Sequence, residues 1–276
     1  MIAAGLFAGE YLKALVGACI IGVVAPLVGT WIVLRRMANL GDAMSHGTLA
    51  GVGVAYAAGA NILLGALGAG VVIAVLLILF SASQRLGHEA IIAVTGSALF
   101  ALGIVIISRI DTTEELEHIL FGDVLQLTWA EIGFNLLIGV AAVGVVLLLF
   151  SELRLASFDH VQAEQVGVHV ELIQGVLVVL LAVVVVISLR TVGSVMSVSM
   201  LVTPAATARL VSSTLRRMTV VGMVLGVSEG VVGVALGQAL EAPPGATISL
   251  VAAVVFAAVY TVTLPRRMPH HHRPLG

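Results

Sequence analysis

An aspartate and a histidine stand four residues apart in the stretch Gly41-Asp42-Ala43-Met44-Ser45-His46. On an α-helix this spacing puts Asp42 and His46 on one face, about one turn apart. A carboxylate and an imidazole placed in this way can bind one ion, and the pair suits zinc, manganese or iron. The alternative is that Asp42 caps a helix at a membrane surface and that His46 is a packing residue.

Glu229 is a second charged residue inside an apolar segment. It follows Gly226 by three residues and precedes Gly233 by four, so we expect it to face the small-residue side of its helix rather than lipid. Glu229 can either line a transport path or form a structural hydrogen bond, and the sequence leaves both roles open. The same two readings, path or packing, are open for Ser45.

The composition identifies the elements that must position these residues. Of the 276 residues 60% are hydrophobic and 10% are charged, and the mean hydropathy is +1.16. A soluble domain carries about 25% charged residues. The chain is therefore expected to be an all-α, polytopic transmembrane bundle, because helices satisfy their own backbone in lipid.

Windows with little or no charge recur along the chain and predict about eight or nine spans. The uncharged run from Ala43 to Gln84 is long enough for two spans, and we divide it at Gly59-Ala60-Asn61. The windows are 14–34, 43–60, 61–84, 90–108, 132–151, 172–189, 191–208, 218–240 and 246–264.

The basic residues predict the orientation of these spans. If the loop with Arg35 and Arg36 is cytoplasmic, ten basic residues lie inside and three lie outside, namely Lys13, Arg109 and Arg190. This asymmetry agrees with the positive-inside rule. The N-terminus is then outside, and an odd number of spans puts the C-terminus inside.

Two loops are long enough to have functions of their own. The outer loop contains Glu114, Glu117, His118 and Asp123, and it can dock a partner or form a solvated face. A short helix is predicted to begin near Asp111. The inner loop, 152–171, predicts an amphipathic helix with Phe158, Val161, Gln165 and Val166 on one side and Gly167 at its end.

Several activities are excluded by what the sequence contains. The single cysteine, Cys19, excludes an internal disulfide framework. The single lysine, Lys13, follows Leu12 and so cannot belong to a P-loop. We expect a transport subunit without an ATPase site, formed by one permease domain over 1–265. A cytoplasmic tail, 266–276, contains His270-His271-His272 and is expected to be disordered.

Five segments occur in the order typical of one family. They are Leu34–His46 with Leu49–Gly53, Phe121-Gly122 with Leu125, Phe158–His169, Leu201–Arg209 and Pro243–Thr247. They are spread over nearly the whole chain, which resembles the permease subunits of ABC importers for zinc, manganese and iron.

This resemblance implies a type II-like importer permease in the cell membrane. It implies a homodimer, two cytoplasmic ATPase subunits that bind the ATP, and an extracytoplasmic metal-binding protein. Zn²⁺, Mn²⁺ or Fe(II) would be the substrate, and no cofactor would be permanently bound. It further implies that Asp42 and His46 contribute to the metal site. A coupling helix over 158–170, with Phe158, Asp159, Ala163 and Gly167, would contact the ATPase.

Two other functions remain open from the sequence. A permease for metal chelates, of the siderophore or cobalamin type, shares the general architecture, but such permeases are generally longer and do not need the pair of Asp42 and His46. An ion-gradient-driven carrier would need no ATPase. The absence of an obvious internal repeat argues mildly against this second possibility.

Overall fold

The computed structural model describes residues 9–81, 88–109 and 127–263, and the regular secondary structure of these residues is helical. The expected all-α bundle is therefore confirmed. In chain order the helices are α1 (Gly9–Leu34), α2 (Ala38–Ala57), α3 (Ile62–Ser81), α4 (His88–Ile107), α5 (Trp129–Leu148), α6 (Phe150–Phe158), α7 (His160–Gln165), α8 (Val170–Thr191), α9 (Ser194–Val211), α10 (Leu215–Leu240) and α11 (Pro244–Thr263).

Six of the described helices are long and apolar enough to cross a membrane: α1, α4, α5, α8, α10 and α11. Shorter apolar segments lie in α3 (Leu64–Leu76) and α9 (Met196–Val211). Helix α2 belongs to neither group, because glycine, serine, asparagine, aspartate and histidine reduce its hydropathy. The count of eight or nine crossings is not confirmed and stays a prediction.

The boundary between the second and third predicted spans is a tight turn. Helix α2 ends at Ala57 and α3 begins at Ile62. Between them Gly59 has a φ of 64°, which is the left-handed region that glycine enters without strain. The division of the long uncharged run at this glycine is therefore confirmed.

Helix α1 lies at the centre of the described bundle and packs against α5, α8, α9 and α10. The backbones of α1 and α10 touch, because a Cβ at Gly22 would lie 2.7 Å from the carbonyl oxygen of Gly226. Such contacts let membrane helices associate without a hydrophobic driving force. The small residues of α10 thus form a helix–helix contact within one copy of the chain.

Helices α2 and α4 run parallel in close contact. A Cβ at Gly96 would lie 2.7 Å from the Cβ of Ala43, and one at Gly103 would lie 2.8 Å from the backbone nitrogen of Ala50. Gly96 contacts Ala43 and Gly103 contacts Ala50, so both helices run in the same direction along the contact. The small residues bring the backbone of α4 next to the helix that contains Asp42 and His46.

The inner loop differs from the prediction. The loop over 152–171, expected to form one amphipathic helix, contains the end of α6 and the whole of α7, so the expected coupling helix over 158–170 is interrupted after Phe158, the last residue of α6. The division occurs because Asp159 is extended and its Oδ1 accepts a hydrogen bond from the backbone nitrogen of Gln162 at 2.9 Å, which starts a new helix. Gly167, with a φ of 84°, follows the end of α7, as the sequence predicts.

The contact between α1 and α10 predicts a local sensitivity to side-chain volume. We expect Gly22→Ala to lower the stability of the detergent-solubilised chain by about 1–3 kcal/mol, because its methyl group would overlap the backbone of α10. Thermal unfolding followed by size-exclusion chromatography measures this change. Gly144→Ala in α5 is the control, since a Cβ there meets nothing within 4 Å. Equal stability of the two variants would contradict the described packing.

Candidate metal-ion site

The site begins with a tight turn between α1 and α2. Arg36 has a φ of 58°, and the backbone nitrogen of Met37 donates to the carbonyl of Ile32 at 2.9 Å. Met37 is the N-cap of α2, without a side-chain cap. Asp42 therefore lies inside the helix, past its first turn, and the alternative in which it caps the helix is wrong.

Asp42 and His46 lie on one face of α2, as their spacing predicts. The Oδ1 atom of Asp42 is 3.3 Å from the Nε2 atom of His46. The side chain of His46 is 29% exposed and that of Asp42 is 63% exposed in the isolated chain. The carboxylate is thus the more accessible group of the pair.

The pair opens into a cavity of about 220 Å³ between α2 and α4. The ring of Phe100 contacts the imidazole edge to face, with the ring centroids 4.8 Å apart. The cavity is lined by Asn39, Asp42, Ala43, His46, Ala93, Gly96, Ser97 and Phe100. Asn39 and Ser97 were not predicted as site residues. Asn39 could have been found from its helical spacing to Asp42, whereas Ser97 comes from another helix and gives no local signal.

The Nδ1 atom of His46 is buried and has no hydrogen-bond partner among the described residues. A histidine that serves only in packing normally satisfies both of its ring nitrogens when it is buried. The imidazole nitrogen without a partner and the exposed carboxylate of Asp42 are therefore both available to bind a further group. Within the described residues, His, Cys, Asp and Glu form no group of three or more that could hold a metal ion.

Ser45 lies on α2 between the two candidate ligands and is fully buried. Its Oγ atom is 2.8 Å from the Oγ atom of Ser197 on α9. This link fixes the rotation of α2 about its own axis and hence the direction in which Asp42 and His46 point. The geometry thus assigns Ser45 a contact with α9, away from the cavity lining.

Glu229 is 1% exposed, in agreement with its predicted place on the packed side of α10. Both carboxyl oxygens are buried without a hydrogen-bond partner among the described residues. It does not line the cavity of Asp42 and His46. The structure therefore does not bring the two intramembrane acids together.

The predicted coupling residues are arranged around the break between α6 and α7. Phe158 and Val161 are 66% and 68% exposed, whereas Ala163 is fully buried. Asp159 is the N-cap of α7, and Gly167 follows its C-terminus. The apolar side chains of Phe158 and Val161 are therefore accessible at the junction of α6 and α7.

Arg35 links this inner segment to the start of α2. Its Nε atom donates to the Oγ atom of Ser157 on α6 at 3.0 Å, and Ser157 donates to the carbonyl of Leu153 at 2.6 Å. Burial lowers the pKa of the Arg35 guanidinium from its ordinary value. The sequence identified Arg35 only as an orientation signal, because its partner is distant in the chain.

Some predicted residues lie outside the described part of the chain. These are Glu114, Glu117, His118 and Asp123 of the outer loop, with the short helix near Asp111, and His270-His271-His272 of the tail.

The described helices form a multi-pass membrane bundle with one charged, partly open site on α2. The model of the ABC 3 transport family matches residues 10–263. The manganese transport system membrane protein MntC of Listeria monocytogenes is 35% identical over 88% of this chain and 87% of its own length. The chelated iron transport system membrane protein YfeD of Yersinia pestis is 31% identical over 92% of this chain and 86% of its own length.

A solved structure of PsaBC from Streptococcus pneumoniae, in complex with a Fab, has the same fold. Its TM-score is 0.87 with 32% identity, and the match covers 94% of both chains. The chain described here belongs to the ABC 3 transport family, and it is a multi-pass permease of the metal-importer type in the cell membrane.

The contact between Ser45 and Ser197 predicts a structural role that separates Ser45 from a ligand. Hydrogen bonds between membrane helices contribute about 0.6 kcal/mol on average, so we expect Ser45→Ala to lower stability by that order. Thermal unfolding in detergent and metal uptake in proteoliposomes measure the two effects. We expect uptake to fall far less than in Asp42→Asn. An equal loss of uptake in both variants, with no loss of stability in Ser45→Ala, would contradict the structural role of Ser45.

Proposed function

We propose that this chain is the membrane-spanning subunit of an ATP-driven importer for Mn²⁺, with Zn²⁺ and Fe(II) as the alternative substrates, and that Asp42 and His46 line the route of the ion. The observation that carries this proposal is the 3.3 Å approach of the two side chains at the wall of a cavity between α2 and α4. The likeness to a manganese transport protein over most of the chain supports the choice of manganese.

The chemistry of the pair suits an ion that must leave again. One carboxylate and one imidazole give an incomplete coordination shell, whereas a closed tetrahedral site holds zinc firmly. Conduction requires binding that is favourable enough to admit the ion and weak enough to release it. The two ligands of one copy satisfy this condition.

A second copy of the chain would cover the exposed side of the proposed site. The side chain of Asp42 is 63% exposed in the isolated chain. Exposure of a charged aspartate to hydrocarbon costs up to about 2.5–3.5 kcal/mol at the centre of a spanning helix and less near its ends, where Asp42 lies. A homodimer with the faces of α2 and α4 at its centre would remove Asp42 from lipid and place two pairs of ligands around one path.

The ATPase subunits would bind on the cytoplasmic side. The apolar side chains of Phe158 and Val161 are exposed at the junction of α6 and α7, which is the kind of surface that a protein partner covers. The extracytoplasmic metal-binding protein would deliver the ion at the outer loop, where Glu114, Glu117, His118 and Asp123 stay predicted contacts. ATP binding would then shift the bundle between outward-open and inward-open states.

The alternatives remain distinguishable by experiment. A chelate importer would keep its transport when Asp42 is replaced, because the chelator and not the protein holds the metal. A gradient-driven carrier would transport ions in vesicles without any ATPase. Either result would replace the proposed function.

Substitution of the ligand pair is the central test in this subsection. We expect Asp42→Asn and His46→Gln each to lower ATP-dependent Mn²⁺ uptake by more than about tenfold, since a neutral amide replaces the charged carboxylate or the imidazole nitrogen of the pair. Uptake is measured in proteoliposomes that contain the permease, its ATPase and the binding protein. Parallel assays with Zn²⁺ and Fe(II) identify the preferred ion.

Glu10→Gln is the control for this test, because Glu10 is exposed in the first turn of α1, far along the sequence from the site. It should leave uptake unchanged. Normal uptake in both Asp42→Asn and His46→Gln, with the complex assembled, would show that the two residues do not bind the transported ion.

The exposed apolar surface predicts where the ATPase binds. We expect Phe158→Ala and Val161→Ala each to weaken co-purification of the ATPase by about tenfold, because buried apolar anchors contribute over 1 kcal/mol at interfaces. Val211→Ala, at the last residue of α9 where the side chain is 39% exposed, is the control and should leave assembly intact. Equal ATPase recovery in all three variants would place the interface elsewhere.

A further inference from the structure

The cavity between α2 and α4 contains one more side chain of α2 that can bind a cation. We propose that the amide oxygen of Asn39 is a third ligand of the ion path, on the cytoplasmic side of Asp42 and His46, and that it receives the ion before release. This inference rests on the proposed function. It adds to that function a residue and a direction of travel.

The helical register places the three donors in one line. Asn39, Asp42 and His46 are related by steps of three and four residues, so they fall on one face of α2. With a rise of 1.5 Å per residue, Asn39 lies about 4.5 Å below Asp42 and about 10.5 Å below His46 along the helix axis. All three side chains line the same cavity.

The position of Asn39 in the helix gives the direction. Asn39 belongs to the first turn of α2, next to Arg35 and Arg36, which the positive-inside rule places at the cytoplasmic surface. An ion that moves inwards therefore passes His46, then Asp42, then Asn39. The last ligand before the cytoplasm is a neutral one, which favours release over retention.

The amide of Asn39 is free for this role. Its side chain is exposed and forms no hydrogen bond with the other described residues. An asparagine that only begins a helix would normally be its N-cap, but the N-cap here is Met37. Asn39 is thus past the capping position and open to the cavity.

The opposite wall of the cavity is compatible with the same ion. Ser97 on α4 lines the cavity with a hydroxyl group. Because Gly96 lies against Ala43 and the two helices are parallel, Ser97 is level with the space between Asp42 and His46. Amide, hydroxyl and carboxylate oxygens are ligands that Mn²⁺ accepts readily.

The experiment compares Asn39→Leu with Asn39→Asp in the full importer reconstituted in proteoliposomes. Leucine removes the oxygen at similar volume, whereas aspartate retains it. We expect Asn39→Leu to lower the initial rate of Mn²⁺ uptake by about tenfold or more, and Asn39→Asp to retain most of the rate. ATP hydrolysis stimulated by the loaded binding protein should persist in both variants, so the ATP consumed per ion should rise in Asn39→Leu.

The outcomes separate this inference from the proposed function. Unchanged Mn²⁺ uptake in Asn39→Leu, with uptake abolished in Asp42→Asn, would overturn the role of Asn39 and leave the proposed function intact. Unchanged uptake in both Asp42→Asn and His46→Gln would overturn the proposed function and this inference with it. If Asn39→Leu fails to assemble, Asn39→Ala takes its place with the same expected loss, and normal uptake in that variant overturns the inference.

Discussion

The contact on which the site depends is the close approach of two parallel helices, α2 and α4. A charged carboxylate is costly in hydrocarbon, so Asp42 needs a protein or aqueous surrounding. Gly96 and Gly103 allow the backbone of α4 to lie against α2, and this forms one wall of the cavity of Asp42 and His46. The polar composition of α2 is tolerated because its neighbours shield most of it.

The rest of the described bundle keeps α2 in a fixed rotation. The hydroxyl contact of Ser45 with Ser197 connects α2 to α9. Helix α9 packs against α1, whose backbone touches that of α10 at Gly22 and Gly226. On the inner side, Arg35 connects the turn before α2 to α6. The proposed ligands are therefore joined by direct contacts to the surface where we place the ATPase.

Local patterns in the sequence predicted the features that depend on neighbouring residues of the chain, namely helices, turns and helix faces. Hydropathy predicted the helices, and Gly59 and Gly167 marked chain reversals that require a positive φ. The spacing of Asp42 and His46 predicted their common face. The division between α6 and α7 was missed because the capping hydrogen bond of Asp159 competes with a continuous helix. The partners Ser197 and Ser97 could not be predicted, since their contacts join distant segments.

The most direct measurement of the central claim is electron spin-echo envelope modulation of Mn²⁺ bound to the complex of permease and ATPase. Residues 266–276 should be removed and the binding protein omitted, so that the three tail histidines and the ligands of the binding protein do not contribute. The account predicts nitrogen modulation from one kind of imidazole, which disappears in His46→Gln while other Mn²⁺ signals persist. Nitrogen modulation that is identical in wild type and His46→Gln, or bound Mn²⁺ without any nitrogen coupling, would contradict it.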